Sequence, residues 1–508
     1  MKIAMTGVSG EMGREVLAWT MELPFVSCIR VLFTRKKRNY LYARRLKRRY
    51  KDRLEMIFGS VANRENCARL IEGCDYVVHM AGVIPPLSDE RPDLSEEVNL
   101  RGTMAMTDAV CEATPQPALI HISSVAVYGN RTMRHPFGRV GDPLLVSAFE
   151  AYDRDKLKAE RYILDAPLER FVILRQTAML HPRILQKNMS DSLMFRIVLD
   201  APLEWVSARD TGRLFAHLFE REERGELGSF WNNVYNVGGG ERGRASGYET
   251  LADGMSLIGR KPEAYFRPDW FLTRNFHGMW FADGDELERL FSFQRDGVRD
   301  YWREIGKKHP IYALGRVVPA KLVYFCLFRR LLKQEGSPKR WIERGDKARL
   351  QAYFGGKEGV DSLPASWEET DLAAKRSDYA ARKRGEGAAL LSHGFDDSKP
   401  MSKWTIDDAR SAARFRGGEC LSANMSDVRD LLSWRCAEGH AFSASALTVM
   451  RAGHWCPICG YPDPWRYDAL AKRNPFYAQV WYDSHGKEEN YRYELHGEHA
   501  VMKEEKER

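Results

Sequence analysis

Short apolar runs alternate with amphipathic stretches over the first 310 residues of the chain. The apolar runs predict six strands, at Lys2–Met5, Ile29–Phe33, Leu54–Phe58, Tyr76–Met80, Ala118–Ile122 and Phe171–Leu174. Amphipathic stretches such as Asn63–Ile71 and Asn99–Cys111 lie between them and predict helices. Because strands that alternate with helices build βαβ units, we expect an α/β fold with a doubly wound parallel sheet.

The pattern changes after residue 310 and divides the chain into three parts. We expect an α/β domain with a substrate lobe at 1–310, a helical extension and linker at 311–400, and a small aromatic-rich domain at 401–508. The most apolar stretch, Val317–Lys333, is interrupted by charges and falls short of the roughly 20 apolar residues that a spanning helix needs. A buried helix and a helix that rests on a membrane surface both stay open for it.

Composition and charge exclude several classes of protein. The 508 residues carry 78 Lys+Arg against 70 Asp+Glu, and 44% are hydrophobic, which is an ordinary globular balance and not that of a disordered or collagen-like chain. The start of the chain lacks the apolar run of a signal peptide, so we expect a cytoplasmic protein. Nine scattered cysteines do not form a disulfide framework, but four of them lie between Cys420 and Cys459 and point to a metal.

A glycine-rich turn follows the first predicted strand and opens a helix. The segment Gly7-Val8-Ser9-Gly10-Glu11-Met12-Gly13 has the spacing of a dinucleotide-binding loop. In such a loop Gly7 permits the tight turn, Gly10 lets backbone N–H groups reach the pyrophosphate, and Gly13 lets the helix pack close to the sheet. The N-terminus of the helix then faces the anion.

The end of the second strand favours NADP as the cofactor, with NAD as the alternative. An NAD site usually has an acidic residue there, which bonds the ribose hydroxyls. This chain instead reads Thr34-Arg35-Lys36-Lys37-Arg38, and the Arg35 guanidinium is available for a 2′-phosphate.

Tyr152 and Lys156 are candidates for catalysis. A spacing of four residues places both side chains on one face of a helix. Because a nearby ammonium favours the phenolate, we expect Lys156 to lower the pKa of Tyr152 and to make it an acid/base near neutral pH. Ser123 and Ser124 close the fifth strand, where a hydroxyl can hydrogen-bond a substrate oxygen.

Together these motifs resemble the extended short-chain dehydrogenase/reductases of the NAD-dependent epimerase/dehydratase kind. The resemblance covers about residues 1–300 and implies a Rossmann-like sheet. Its pieces stand in the family's order: Thr6–Gly13, Val78–Gly82, Asn99–Thr103, Ser123–Gly129, Tyr152 with Lys156, Leu174–Arg175 and Asn236–Gly239. Two departures matter, since Arg175–His181 lacks the Asn that helps sugar-nucleotide members to hold the diphosphate, and Ser60 replaces an Asp near the adenine.

The resemblance implies roles for particular residues. Ser124, or its neighbour Ser123, would polarise the substrate oxygen. Tyr152 would be the acid/base, and Lys156 would bond the nicotinamide ribose and tune Tyr152. Asn99 would support the site. The cofactor contacts would be Gly7, Gly10, Glu11, Met12, Gly13, Arg35, Ala81, Gly82, Asn99, Tyr152 and Lys156.

The last domain carries two pairs of metal-ligating residues. Cys436 and His440 form one pair, Cys456 and Cys459 form the other, and such pairs suit tetrahedral zinc. They resemble the pairs of zinc-ribbon or treble-clef modules, with Cys420 as a reserve ligand and His454 as a less favoured one. The glycine loop lies far away in sequence, so we expect the cofactor site to be independent of this zinc-binding domain.

These motifs favour an NADP-preferring oxidoreductase or epimerase that acts on a secondary alcohol or ketone of a small-molecule substrate. The alternative is an NADP-binding redox sensor whose zinc domain binds nucleic acid or protein. Intact Ser124, Tyr152 and Lys156 favour the enzyme, because a sensor does not need all three. A homodimer, and contact with nucleic acid through the zinc domain, stay open.

Overall fold

Near-continuous apolar runs form a parallel sheet at the centre of the molecule. The structure, a computed structural model, describes residues 1–184, 191–385, 387–460, 465–496 and 499–504. The seven strands of this sheet follow the order β10-β7-β5-β4-β1-β2-β3, and every neighbouring pair is parallel. Every residue of β4, β5, β7 and β10 is buried, as expected for strands that are covered on both faces.

The strands of the central sheet confirm the predicted Rossmann-like fold. All six predicted strands are present, and the seventh, β10, is one that the apolar pattern did not single out. The strands are β1 (Lys2–Thr6), β2 (Cys28–Phe33), β3 (Leu54–Phe58), β4 (Tyr76–His79), β5 (Ala118–Ser124), β6 (Phe137–Gly138), β7 (Phe171–Gln176), β8 (Ala178–Leu180), β9 (Pro202–Ser207), β10 (Asn233–Val237), β11 (Arg244–Ser246), β12 (Trp280–Phe281), β13 (Glu419–Cys420), β14 (Leu431–Arg435), β15 (Ala441–Ser445), β16 (Tyr491–His496) and β17 (His499–Glu504).

Helices connect the strands and cover the sheet. The α-helices of the described residues are Glu11–Met21, Lys37–Tyr50, Arg64–Ile71, Leu87–Glu90, Pro92–Ser95, Gly102–Glu112, Ala151–Asp165, Ala208–Glu223, Gly247–Met255, Asp285–Phe291, Val298–Lys308, Ala320–Val323, Arg329–Leu332, Pro338–Arg344, Lys347–Phe354, Lys357–Asp361, Leu372–Arg382, Ile406–Phe415, Tyr467–Arg473 and Pro475–Trp481. Asn63 accepts a hydrogen bond from the Asn66 backbone N–H and caps the helix Arg64–Ile71, so this helix begins where the sequence predicts. We name Ala151–Asp165 the Tyr–Lys helix, because it carries Tyr152 and Lys156.

The expected helical extension contains four short α-helices between Pro338 and Arg382, and it packs against the rest of the protein. Trp341 and Tyr353 are buried, and their rings stack with centroids 5.2 Å apart. Both belong to a hydrophobic core that also contains Leu145 and Ala148 from the loop before the Tyr–Lys helix. Aromatic side chains of the last hundred residues complete this core, among them Trp434, Trp455, Trp465 and Trp481.

The last hundred residues also bond directly to the Tyr–Lys helix. Arg161, on that helix, donates hydrogen bonds to the Ser443 carbonyl at 2.9 Å and to the Trp455 carbonyl at 3.2 Å. The Trp465 indole donates to the Val146 carbonyl at 2.8 Å. The distance in sequence suggested separate bodies, but in the structure the two regions share a core and polar contacts.

A fully buried ion pair stands where these parts meet. Arg175 on β7 contacts Glu160 on the Tyr–Lys helix at 2.7 Å, and neither side chain is exposed. Arg175 also donates to the Ala452 carbonyl at 2.7 Å, and the His454 ring lies 3.3 Å from Glu160. Burial works to raise the pKa of Glu160, but Arg175 and His454 hold it at about 2. Glu160 is therefore ionised, and its charge depends on these partners.

Removal of the arginine should leave the Glu160 charge buried without its main partner. We expect Arg175→Met to lower the free energy of unfolding by about 3–5 kcal/mol, the usual cost of breaking a buried pair. Urea unfolding measures this loss. The double variant Glu160→Gln/Arg175→Met removes both charges and should be more stable than Arg175→Met alone. A loss below about 1 kcal/mol in Arg175→Met would show that the pair does not support the fold.

Candidate functional site

The candidate site lies at the carboxyl edge of the central sheet, where β1, β4, β5 and β7 end side by side. In a doubly wound sheet this edge is where ligands bind. The glycine loop follows β1, Ala81 and Gly82 follow β4, and Ser124 ends β5 opposite Gln176 of β7. The fold therefore brings together motifs that lie up to 170 residues apart in the sequence.

The glycine loop is fixed by close backbone contacts. Gly7 has φ +75°, and a Cβ there would lie 2.6 Å from the Met80 carbonyl carbon, so only glycine fits. A Cβ on Gly13 would lie 2.7 Å from the Val8 Cα, which keeps the helix tight against the turn. Gly10 begins the helix Glu11–Met21 without a side-chain cap. The first N–H groups of this helix therefore remain available to an anion.

Glu11 and Met12 lie in the first turn of this helix, and Glu11 faces two basic side chains. Its carboxylate pairs with Arg183 and lies 3.7 Å from the His181 ring. His181 and Arg183, which follow β8, thus contact the first turn of the helix. These contacts give Glu11 a structural role that the sequence motif did not indicate.

Asn99 holds the loop that follows β4. Its amide accepts a hydrogen bond from the Val83 N–H and donates one to the Val83 carbonyl, both at 2.8 Å. It also donates to Ser95 at 3.0 Å. A Cβ added at Gly82 would lie 3.3 Å from the Asn99 Oδ1 and 4.0 Å from the Lys156 Nζ. Asn99 therefore shapes the strip of backbone next to Lys156.

Ser124, Tyr152 and Lys156 converge on this edge. Ser124 is close enough to Tyr152 for a hydrogen-bonding interaction that lowers the pKa of the phenol. The Lys156 Nζ lies 6.0 Å from the centre of the Tyr152 ring and donates a 2.7 Å hydrogen bond to the Ile122 carbonyl. Ser124 and Lys156 are buried, whereas Tyr152 is partly exposed.

The electrostatics differ from the expectation that Lys156 lowers the pKa of Tyr152. Burial is the larger effect and raises the pKa of Tyr152 to about 12, with Ser124 opposing it. Burial also lowers the pKa of Lys156 to about 8, although Glu160 and Asp155 favour its charged form. Tyr152 is therefore protonated at neutral pH, which suits a proton donor.

Gln176 is a member of this site that sequence reasoning missed. It pairs in register with Ser124 across β5 and β7, and it is only 8% exposed. Both polar atoms of its amide are buried without a hydrogen-bond partner in the described part of the chain. An unpaired buried amide costs about 1–3 kcal/mol, so a ligand oxygen or amide would stabilise it. The sequence signal was its position directly after the Leu174–Arg175 motif.

Arg35 lies at the end of β2, on the outer side of the glycine loop. Its side chain is exposed and makes a long, 3.4 Å hydrogen bond to the Phe58 carbonyl. Asn39 holds the turn before it by donating to Thr34 at 2.7 Å. The Arg35 guanidinium keeps donors free for an anion.

A second candidate centre, for a metal, lies in the last domain. The ligand atoms of Cys436, His440, Cys456 and Cys459 all lie within 4.8 Å of one another. The Cys436 and Cys459 sulfurs are 3.8 Å apart, and the His440 Nδ1 is 3.2–3.7 Å from the three sulfurs. Bond lengths of about 2.3 Å to sulfur and 2.0 Å to nitrogen around a tetrahedral zinc require separations of about 3.5–3.8 Å. The four side chains therefore fit zinc.

The two reserve ligands lie outside this cluster. Cys420 belongs to β13 and pairs in register with Trp434, and His454 contacts Glu160. The chelating set that the structure assembles is thus the one that the spacing predicts.

Comparison with known proteins agrees with the motifs of the glycine loop and the Tyr–Lys helix. Residues 3–238 match the family described as NAD dependent epimerase/dehydratase family. This match covers less than half of the chain and ends just after β10. It supports the family resemblance for the part of the chain that forms the central sheet.

Curated relatives match over a shorter segment. The chain is 30% identical over 112 residues to 3 beta-hydroxysteroid dehydrogenase type 7 of Rattus norvegicus, which is 22% of this chain and 33% of that protein. It is 31% identical over 116 residues to the Homo sapiens protein of the same name, 22% of this chain and 31% of that one. The chain thus spans about a third of the length of these relatives.

Among solved structures, the chain is similar to UDP-Glucuronic acid 4-epimerase from Bacillus cereus, which was crystallised with UDP-Glucuronic acid and NAD. The two chains are 18% identical, and the similarity covers 61% of this chain and 99% of that one, with a TM-score of 0.47.

Proposed function

We propose that this protein is an NAD(P)-dependent oxidoreductase or epimerase that acts on a secondary alcohol or ketone of a small molecule. The observation that carries the proposal is the convergence of Ser124, Tyr152 and Lys156 beside an uncapped glycine-loop helix. The family match over residues 3–238 supports a nicotinamide cofactor. Bound nicotinamide would supply or accept the hydride, while the protein supplies binding, orientation and proton transfer.

In the proposed reduction of a ketone, Tyr152 donates the proton. The raised pKa of Tyr152, about 12, keeps the phenol protonated at neutral pH. The hydride bonds to the carbonyl carbon, and the phenol proton moves to the oxygen, which leaves an alcohol and a phenolate. The Ser124 hydroxyl donates a hydrogen bond to the same oxygen and stabilises the charge that develops there. Oxidation of an alcohol runs through these steps in reverse, with the phenolate as base.

Lys156 holds the cofactor ribose and supports the phenolate in this proposal. Its ammonium already lies beside Gly82, in the strip of backbone that Asn99 fixes. Because its pKa is lowered to about 8, the ammonium is present below that pH and is lost above it. The donor that binds ribose is therefore available at neutral pH.

The substrate class rests on three observations. Proteins named hydroxysteroid dehydrogenases are among the relatives, which supports an alcohol or ketone as the reacting group. Gln176 lies beside Ser124 with an unpaired amide, so it would hydrogen-bond the substrate or the cofactor close to the reacting carbon. The missing Asn in Arg175–His181 weakens a sugar-nucleotide substrate.

Substitution of the proposed proton donor tests the reaction. Tyr152→Phe keeps the ring but removes the hydroxyl, so turnover of a carbonyl substrate with NADPH should fall by about 100-fold or more. The measurement is hydride transfer from deuterated NADPH across a panel of ketones and nucleotide sugars. Cofactor affinity should stay within a few-fold, and normal turnover in Tyr152→Phe would refute the assignment.

Substitution of Arg35, which follows β2, tests the choice between NADP and NAD. We propose NADP as the preferred cofactor, because a guanidinium fork matches a phosphate. Arg35→Ala should weaken NADPH binding by about tenfold or more and leave NADH nearly unchanged. Arg45→Ala, an exposed change of equal charge on the helix Lys37–Tyr50 that follows Arg35, is the control. Tighter binding of NADH than of NADPH by the unmodified protein would overturn the assignment.

We also propose that Cys436, His440, Cys456 and Cys459 hold one structural zinc ion. All four positions of a tetrahedral site are filled by protein, so the ion would bind no substrate. Cys456 directly follows Trp455, whose carbonyl accepts a hydrogen bond from Arg161 of the Tyr–Lys helix. Zinc would thereby support the helix that carries Tyr152.

Loss of a ligand tests the metal site. Cys459→Ser should abolish stoichiometric zinc and lower the midpoint of thermal unfolding, because structural zinc contributes on the order of 10 kcal/mol in small domains. Elemental analysis and calorimetry measure the two effects. Cys420→Ser, which lies outside the cluster, should keep both zinc and stability. Purified protein without zinc and with a normally folded last domain would contradict the proposal.

A further inference from the structure

Residues Pro310–Leu332 carry an unusual concentration of exposed apolar side chains. The segment consists of Pro310–Val317 and Ala320–Leu332, which meet at an angle of 111°. Among the described residues, no unbroken helix has the length and hydropathy to cross a bilayer. The two helices of this segment reach that length and hydropathy only when they are taken together. Its five most exposed large apolar side chains are Ile311 (68%), Leu314 (62%), Val317 (77%), Leu322 (54%) and Phe325 (62%).

The end of the same segment is packed on the protein. Phe328, Leu331 and Leu332 are buried in a cluster with Phe266 and Trp270. The Phe328 and Phe266 rings have centroids 4.9 Å apart. Pro310–Val317 has no buried residue, but its Gly315 carbonyl accepts a 3.2 Å hydrogen bond from the Tyr265 hydroxyl. Both parts of the segment therefore contact the protein, and the exposed side chains do not belong to a detached tail.

The charged residues along this segment have a single sign. No acidic residue lies between Glu304 and Glu335, whereas seven exposed basic residues do: Lys307, Lys308, Arg316, Lys321, Arg329, Arg330 and Lys333. Lys308 pairs with Glu304 at 2.6 Å, at the margin of the segment. The apolar side chains are thus interspersed with cations whose long stems can reach past them.

We propose that Pro310–Leu332 docks the protein on the surface of an anionic lipid bilayer. An apolar face with Lys and Arg around it matches the boundary between acyl chains and anionic headgroups. Isolated exposed apolar residues need no explanation, but a fixed cluster of five does. The buried inner face keeps the segment on the protein, so the segment lies on the bilayer rather than across it.

A second copy of this chain is a poorer occupant than a bilayer. Two such surfaces placed face to face would bring two sets of basic residues together without intervening acids, and like charges at an interface oppose association. An anionic bilayer instead neutralises each cation, at about a fivefold gain in binding per Lys or Arg near the surface.

Sedimentation with vesicles tests the proposal on the full chain. The protein should sediment with vesicles of phosphatidylcholine and phosphatidylserine, and far less with phosphatidylcholine alone. Val317→Asp/Phe325→Asp should weaken binding by about tenfold or more, because both apolar contacts are lost. Lys321→Gln should weaken it by about fivefold.

A control variant and a folding check separate loss of the docking surface from a general effect of an added Asp and from misfolding. Leu431→Asp replaces an equally exposed apolar residue (71%) in the last domain and should bind as the unmodified protein does. Unchanged circular dichroism of each variant checks folding. Equal binding by Val317→Asp/Phe325→Asp and by the unmodified protein would overturn the proposal. It would also be overturned if velocity sedimentation without lipid gave a dimer that Val317→Asp dissociates, since a second copy would then cover this surface.

Discussion

The buried pair of Glu160 and Arg175 joins three parts of the molecule at one point. Glu160 lies on the Tyr–Lys helix, Arg175 lies on β7 of the central sheet, and both contact residues 452–454 of the last domain. Two charges without exposure to water are tolerated only with good geometry and further hydrogen bonds. These bonds come from Ser123, Tyr128 and His454. The pair therefore connects the helix, the sheet and the last domain.

This constraint links the candidate active site to the candidate metal site. Arg161 lies one residue beyond Glu160 and bonds to the carbonyl of Trp455, the neighbour of Cys456. The four clustered Cys and His side chains thus lie next to a chain segment that contacts the Tyr–Lys helix. Two motifs about 300 residues apart in the sequence form one structural unit, in which each supports the position of the other.

Burial decides the chemistry of the Tyr–Lys pair more than their spacing does. A neighbouring ammonium favours a phenolate. The Lys156 Nζ, however, donates its hydrogen bond to the Ile122 carbonyl and lies 6.0 Å from the centre of the Tyr152 ring. Removal of both groups from water disfavours their charged forms, which raises the pKa of Tyr152 and lowers that of Lys156. Tyr152 is therefore protonated at neutral pH before any ligand binds, as the proposed reduction requires.

The sequence by itself determined the features that depend on local pattern. Apolar runs gave the six strands, glycine spacing gave the turn after β1, and the two close pairs gave the four clustered ligands. These features follow from steric limits within a few residues, so a short segment contains the information. Tertiary structure alone decided that Gln176 stands beside Ser124, that His454 contacts Glu160, and that Val317 faces outward while Leu331 is buried. Each of these depends on which distant segment packs against the residue, because burial and electrostatic environment are sums over neighbours that the linear order does not specify.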